Sequence, residues 1–292
     1  MLMLGGQVLL GFSYDICYEA GFERAPLRAQ LAEMAAIVLL TVALGWVVWP
    51  AAFHRIAERG AASEHLHRFV TRVLAWALLP LGVSLGFAFY AAAVSLHIAH
   101  AWIIGILAGV VTLAGWYVGG ALPHRHKRGS GGHSSDGEHA DLSDRIKKVL
   151  IECRMALPGG QAFLGFQFAV IFEPAFEKLP RSSQLIHFAT LLSTTAAIVL
   201  LIAPAAYHRL AEDGEDTERF LKVASGLLIA ALTFLPLGMC GDLYITLRKV
   251  IGSESLAIAI PSLLLIAIYT LWFGVSLWRR RTHRRHPIRR AA

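Results

Sequence analysis

The chain has 292 residues, 56% of them hydrophobic and only 16% charged, with a mean hydropathy of +0.56 and a formal net charge of +7. Soluble domains carry roughly a quarter charged residues, so this much apolar surface cannot be hidden in one water-soluble core, and lipid is the solvent the composition fits. Cys17, Cys153 and Cys240 are widely separated, which excludes a disulfide framework or a CxxC pair and makes them small apolar fillers.

In chain order, the opening MLMLGGQVLLGF lacks a basic n-region and a small-x-small cleavage site, and reads as a retained helix rather than a removable signal. A membrane span needs about 20 mostly apolar residues. Candidate spans cover residues 2–18, 31–49, 69–89 and 101–122, then 161–176, 185–207, 220–245 and 256–278. The runs are long, continuous and rich in Ala and Leu instead of alternating, which excludes strands. The predicted fold is an all-α integral membrane protein of about eight transmembrane helices, arranged as two parallel four-helix repeats. The first repeat occupies residues 1–122 and a His/Gly/Ser-rich linker 123–143; an interfacial helix and the second repeat occupy 144–278, and a basic tail 279–292. The linker histidines, His124, His126, His133 and His139, are irregularly spaced on a Gly/Ser-rich backbone, so no metal site is expected there. The stretch LSDRIKKVLIECRMAL has a capping-type Ser and apolar residues at helical spacing, as an interfacial helix leading into the fifth span would.

The tail RRRTHRRHPIRR follows an apolar run, so it reads as an anchor for anionic lipid on the cytoplasmic side and not as a nucleic-acid arm. An even number of spans then places both termini in the cytoplasm. Arg248 and Lys249 fall outside, against the general bias. The tryptophans lie mostly near span ends, as interfacial belts require.

Residues 5–60 overlay residues 159–214 without a gap: GGQVLLGF meets GGQAFLGF, and PAAFHRIAERG meets PAAYHRLAEDG. About two in five positions are identical, which marks an internal repeat. Two copies with four spans each enter the membrane the same way up, and parallel repeats are related by a pseudo-twofold axis along the membrane normal.

The second copy's ECRMALPGGQ run, its Phe-rich first span and IAPAAYHRL resemble an uncharacterised bacterial family of small four-span membrane proteins, some of which are labelled sodium:proton antiporters. The resemblance covers roughly residues 150–250, and in weaker form 4–94, and implies a fused tandem of a unit usually found alone, seated in a bacterial inner membrane. The first copy lacks the Glu-x-Arg helix, so Glu152 and Arg154 have no counterpart.

Candidate transport or polar-pathway residues follow from polar groups set in apolar runs. His54-Arg55 and His208-Arg209 close the second span of each copy. Each pair could anchor to headgroups, or exchange protons through His and bind an anionic group through Arg; Glu58 and Glu212 stand four residues on, within reach of each His. Gln7 and Gln161 are amides flanked by glycines, suited to helix packing or to lining a path. Asp15 lies inside the first span with no acidic counterpart, since Ala169 takes its place; Glu19 and Glu173 are matched and sit near the outer boundary, and Asp242 near the outer end of the seventh span. His97, His100 and His187 are scattered, so haem is not expected, and neither a cofactor nor soluble-type catalysis has a motif. The expected function is a small secondary transporter or proton-coupled cation exchanger. The alternative is a non-catalytic scaffold or accessory subunit, with a second copy or a larger membrane complex as partner.

Overall fold

The computed structural model describes residues 2–57, 64–121, 137–210, 212 and 215–285. His124, His126, His133, Glu58 and the end of the basic tail lie outside the described residues. The helices are α1 (Leu2–Ile16), α2 (Ala20–Arg24), α3 (Leu27–Ile56), α4 (Glu64–Ser95), α5 (Ala101–Ala121), α6 (Gly137–Val170), α7 (Pro174–Glu177), α8 (Arg181–Leu210), α9 (Glu218–Ile251) and α10 (Glu254–Tyr269). A π-helical turn (Thr270–Val275) carries α10 into α11 (Ser276–Arg285). Among the described residues there is no strand: a chain in lipid satisfies its backbone polar groups within helices.

Each predicted span falls wholly or mostly on a helix. Among the described residues five helices are long and apolar enough to cross a membrane: α3, Arg68–Ser95 of α4, α8, α9 and the continuous α10–α11. The apolar stretch of α5, Ala101–Gly115, is shorter. α6 departs from the predicted linker and interfacial helix, because it starts at Gly137 and runs unbroken through Pro158 into the fifth apolar stretch. Its 34 residues reach about 50 Å, well beyond a hydrocarbon core of roughly 30 Å. Pro50, Pro80, Pro204, Pro236 and Pro261 also lie inside helices, which bundles in lipid tolerate because neighbours re-satisfy the freed carbonyls.

Helix boundaries recur at the spacing of the sequence repeat, 154 residues, as Gly159 lies from Gly5. α3 and α8 share both boundaries in this register, the ends of α1 and α6 match, and so do the starts of α2 and α7. The repeated Gln explains part of this. Gln30 Nε2 donates to the carbonyls of Phe22 (3.0 Å) and Ala25 (3.1 Å), and Gln184 Nε2 donates to those of Phe176 (3.4 Å) and Leu179 (3.3 Å). One amide per copy thus ties the short helical turn to the start of the following long helix.

Helix association in lipid depends on close packing and hydrogen bonds, since lipid tails are as apolar as the helices. α3 packs mainly on α4, α8 on α9, α4 on α5, and α1 on α6. At the α1–α6 contact the Phe12 and Phe166 rings lie 4.3 Å apart, and Gly11 leaves the space the Phe166 ring occupies. Gly6 abuts Leu44, and Gly160 abuts Ile198 in the matching place. α9 and α10 also reach α3, where the Trp272 Nε1–H donates to the Gly45 carbonyl at 2.7 Å from the wide π turn. The core follows these contacts, with Leu10, Ile37, Phe163 and Leu243 in one cluster and Val149, Phe220, Leu228 and Trp272 in another.

Candidate functional site: a buried His–Asp centre and an ion cluster

α8 begins at Arg181 and turns His187 inward, where it is 3% exposed; Asp242 on α9 is 5% exposed and Gln167 on α6 is 2% exposed. The His187 Nε2 lies 2.8 Å from the Gln167 backbone carbonyl, which only accepts, so this nitrogen carries a proton. Nδ1 lies 3.0 Å from Asp242 Oδ1. Gln167 Nε2 donates to Asp242 Oδ2 at 2.7 Å, and the Thr190 hydroxyl lies 2.6 Å from Oδ1 and 2.7 Å from the His187 carbonyl. Both carboxyl oxygens of Asp242 are thereby met by side chains from other helices, as a buried acid requires.

With Nε2 committed to a carbonyl, one exchangeable proton remains between Nδ1 and the carboxyl. The Nδ1–Asp242 contact is thus the one through which the ring meets an ionisable group. Two cavities meet at His187. The inner one, also lined by Tyr14, Tyr18, Phe163, Asp242 and Thr246, has space for about one water molecule beside the Gln167 amide oxygen, which is buried without a protein partner. The outer one, about 520 Å³, is lined by Phe176, Glu177, Arg181, Gln184 and Phe188.

The residues expected from sequence divide into three groups. His54 and Arg55 are buried, 7% and 6% exposed, and meet Glu152 on α6: His54 Nδ1 lies 2.9 Å from Oε1 and Arg55 Nε 2.6 Å from Oε2. Glu152, which the first copy lacks, therefore serves the first copy's His-Arg pair. His208 is not equivalent. It lies 3.4 Å from Asp216 and against the Phe220 ring, while Arg209 is exposed. Glu212 hydrogen-bonds Thr217 instead of the expected His208, because the chain turns at the α8–α9 connection and no helix continues to align the pair.

Asp15, Glu19 and Glu173 lie in the same neighbourhood around the ends of α1 and α6. Asp15 is half-buried with Oδ1 unpartnered, Glu19 is exposed and precedes α2, and Glu173 holds the same place before α7. Gln7 is buried against Gly159, whereas Gln161 is exposed. Gln167 and Thr190 carried no sequence signal of their own, whereas Glu33, an acid inside the predicted span 31–49, carried one but was not among the expected site residues. His187 and Asp242 carried one too, as ionisable groups in apolar runs, but 55 residues separate them and spacing cannot show that they meet. Among the described residues no cluster of His, Cys, Asp and Glu could hold a metal ion, and the three cysteines are buried and free.

No curated protein and no solved structure matches the chain. A family of unknown function, DUF6328, matches it in two parts, residues 1–120 and 136–276, as a tandem of one unit would. The chain belongs to the family of unknown function DUF6328.

Proposed function

We propose that the chain is a small integral membrane transporter that couples movement of a cation to exchange of a proton at the His187–Asp242 pair. The observation that carries this is the position of His187: its ring lines the open outer cavity on one side and contacts the fully hydrogen-bonded Asp242 on the other. An ionisable pair is costly in a bilayer, and is retained there chiefly where a proton or ion pathway uses it. The groups facing the pair are Tyr14 and Tyr18 from α1, Gln167 from α6, Thr190 from α8 and Thr246 from α9, with Arg181 and Glu177 at the outer mouth.

The eight apolar stretches form two four-span halves around a pseudo-twofold axis between α1 and α6, with both termini and the basic tail on the cytoplasmic face against anionic lipid. Matched residues that approach one another, Phe12 with Phe166 and Glu19 with Glu173, support this arrangement. Neither an enzymatic reaction nor a bound cofactor is part of the proposal.

Reconstitution in proteoliposomes tests it directly. An imposed pH gradient should dissipate on addition of sodium or another monovalent cation. His187→Gln and Asp242→Asn should each slow that flux at least tenfold, equivalent to about 1.4 kcal/mol of barrier. Equal traces for wild type and both variants would remove transport at this centre from consideration.

A further inference from the structure

The first half holds a cavity at the place the His–Asp centre occupies in the second, and it is built differently. It is lined by Leu9, Phe12, Ser13, Phe22, Glu33 and Ala88, with a volume of about 260 Å³. In the 154-residue register Leu9 stands for Phe163, Ser13 for Gln167 and Glu33 for His187, while Phe12 and Phe22 match Phe166 and Phe176. The second half fills this space with its own Phe163, Gln167 and His187, leaving about 10 Å³. The first half has shortened two of these side chains, so the space is open.

Glu33 is 5% exposed inside this cavity. Ser13 lines the same cavity, and among the described residues no Lys, Arg or His pairs with Glu33. In its ionised form a buried carboxyl needs a compensating positive charge, and among the described residues the chain supplies none, so an incoming cation is what would hold Glu33 charged. Apart from Ser95, whose hydroxyl is bonded to the Ala91 carbonyl, the remaining wall is aromatic and aliphatic, with exposed Leu9, Phe12 and Ile16 marking an opening on the outer side of α1. A hard metal ion would want about six oxygens, whereas this cavity offers chiefly Glu33 and Ser13. An organic cation takes its charge balance from Glu33 and its contact from Phe12 and Phe22, whose ring faces attract cations.

We propose that the first-half cavity is a binding site for a small lipophilic monocation of the alkyl- or arylammonium class, paired with Glu33 and entering from the bilayer side. Binding here does not require transport, so it stands or falls separately from flux at His187.

The test uses the full chain in detergent micelles and equilibrium dialysis of radiolabelled benzyltrimethylammonium. Wild type should bind it saturably at one site, and Glu33→Gln should weaken binding at least tenfold. Neopentylbenzene, the uncharged isostere, should not displace it. Identical isotherms for wild type and Glu33→Gln, or displacement by the neutral isostere, would overturn the site. Should Glu33→Gln aggregate on gel filtration, Ala88→Leu decides: loss of saturable binding on narrowing the cavity supports the site, and undiminished binding overturns it. Proton flux of His187→Gln in liposomes reports on the transport centre independently of either result.

Discussion

At the scale of single residues, Glu152 shows how burial changes the meaning of a charge. Arg55 has a side chain only 2% exposed, and Glu152 supplies its counter-charge while also meeting His54. Removing one partner of a buried pair leaves the other uncompensated, which costs about 3–5 kcal/mol. Glu152→Ala should therefore lower the unfolding free energy in detergent by about 3 kcal/mol, toward the low end because Glu152 keeps some access to solvent. The double variant Glu152→Leu with Arg55→Met should recover most of that loss. A change in the single variant below about 1 kcal/mol would place the cluster among weakly contributing surface pairs. Cys17, Cys153 and Cys240 are buried among apolar neighbours, which agrees with their expected role as fillers.

At the scale of elements, α4 and α9 close their C-terminal ends differently. α4 ends in a Schellman turn: Ile98 N–H bonds the Ala93 carbonyl at 3.0 Å and His97 N–H the Val94 carbonyl at 3.0 Å, with His97 at φ 56°. α9 ends on Gly252 at φ 68°, where the left-handed conformation costs a glycine nothing sterically. For His97 that conformation costs roughly 1–2 kcal/mol. His97→Gly should accordingly stabilise the protein by about 1 kcal/mol, read as a shift of the denaturation midpoint in detergent at constant slope. An unchanged or lowered midpoint would mean that the imidazole makes a compensating contact. Close approach is the other element-level device. Gly86 and Gly105 bring α4 and α5 so near that a Cβ on either would lie 2.9 Å from the facing carbonyl oxygen.

At the scale of the whole molecule, Glu23 joins the two halves beyond the end of α1. Its carboxylate accepts from Lys178 at 3.0 Å and lies 3.4 Å from Lys249, whose ammonium also donates to the Cys17 carbonyl at 2.7 Å. Arg248 beside it bonds Glu254 at 2.7 Å, so the two basic residues that oppose the predicted orientation are both ion-paired. The hydrogen bond from Lys178, reinforced by Lys249, holds the Glu23 carboxyl below its ordinary value of 4.5. A folded value lowered in this way gives stability that is fully present above 4.5 and lost as pH falls through the folded value. Amide protection over residues 19–26 should stay constant from pH 7 to pH 5 and fall below about 4.5, and Glu23→Gln should abolish that dependence. Protection that ignores pH in the wild type would rule out the ion cluster as the clasp.

Much of this architecture is legible in the sequence because lipid leaves few options. Long apolar runs must be helices, and a gapless repeat must reuse the same helix boundaries, as α3 and α8 do. The repeated Gln and Pro also mark the turns, since their interactions are local. Which polar residues meet was not legible. His187 finds Asp242 across 55 residues, and His54 and Arg55 find Glu152 across about a hundred, through packing that no periodicity encodes. The repeated PAA[FY]HR phrase makes the point most directly. Its two copies are nearly identical in sequence, yet one pair is buried against α6 and the other lies near the surface, because only the first has Glu152 beside it. Sequence alone determined the all-helical architecture and the spacing at which helix boundaries recur, through hydrophobic length and local chemistry. Tertiary structure decided where charge is buried, because that depends on which helices touch.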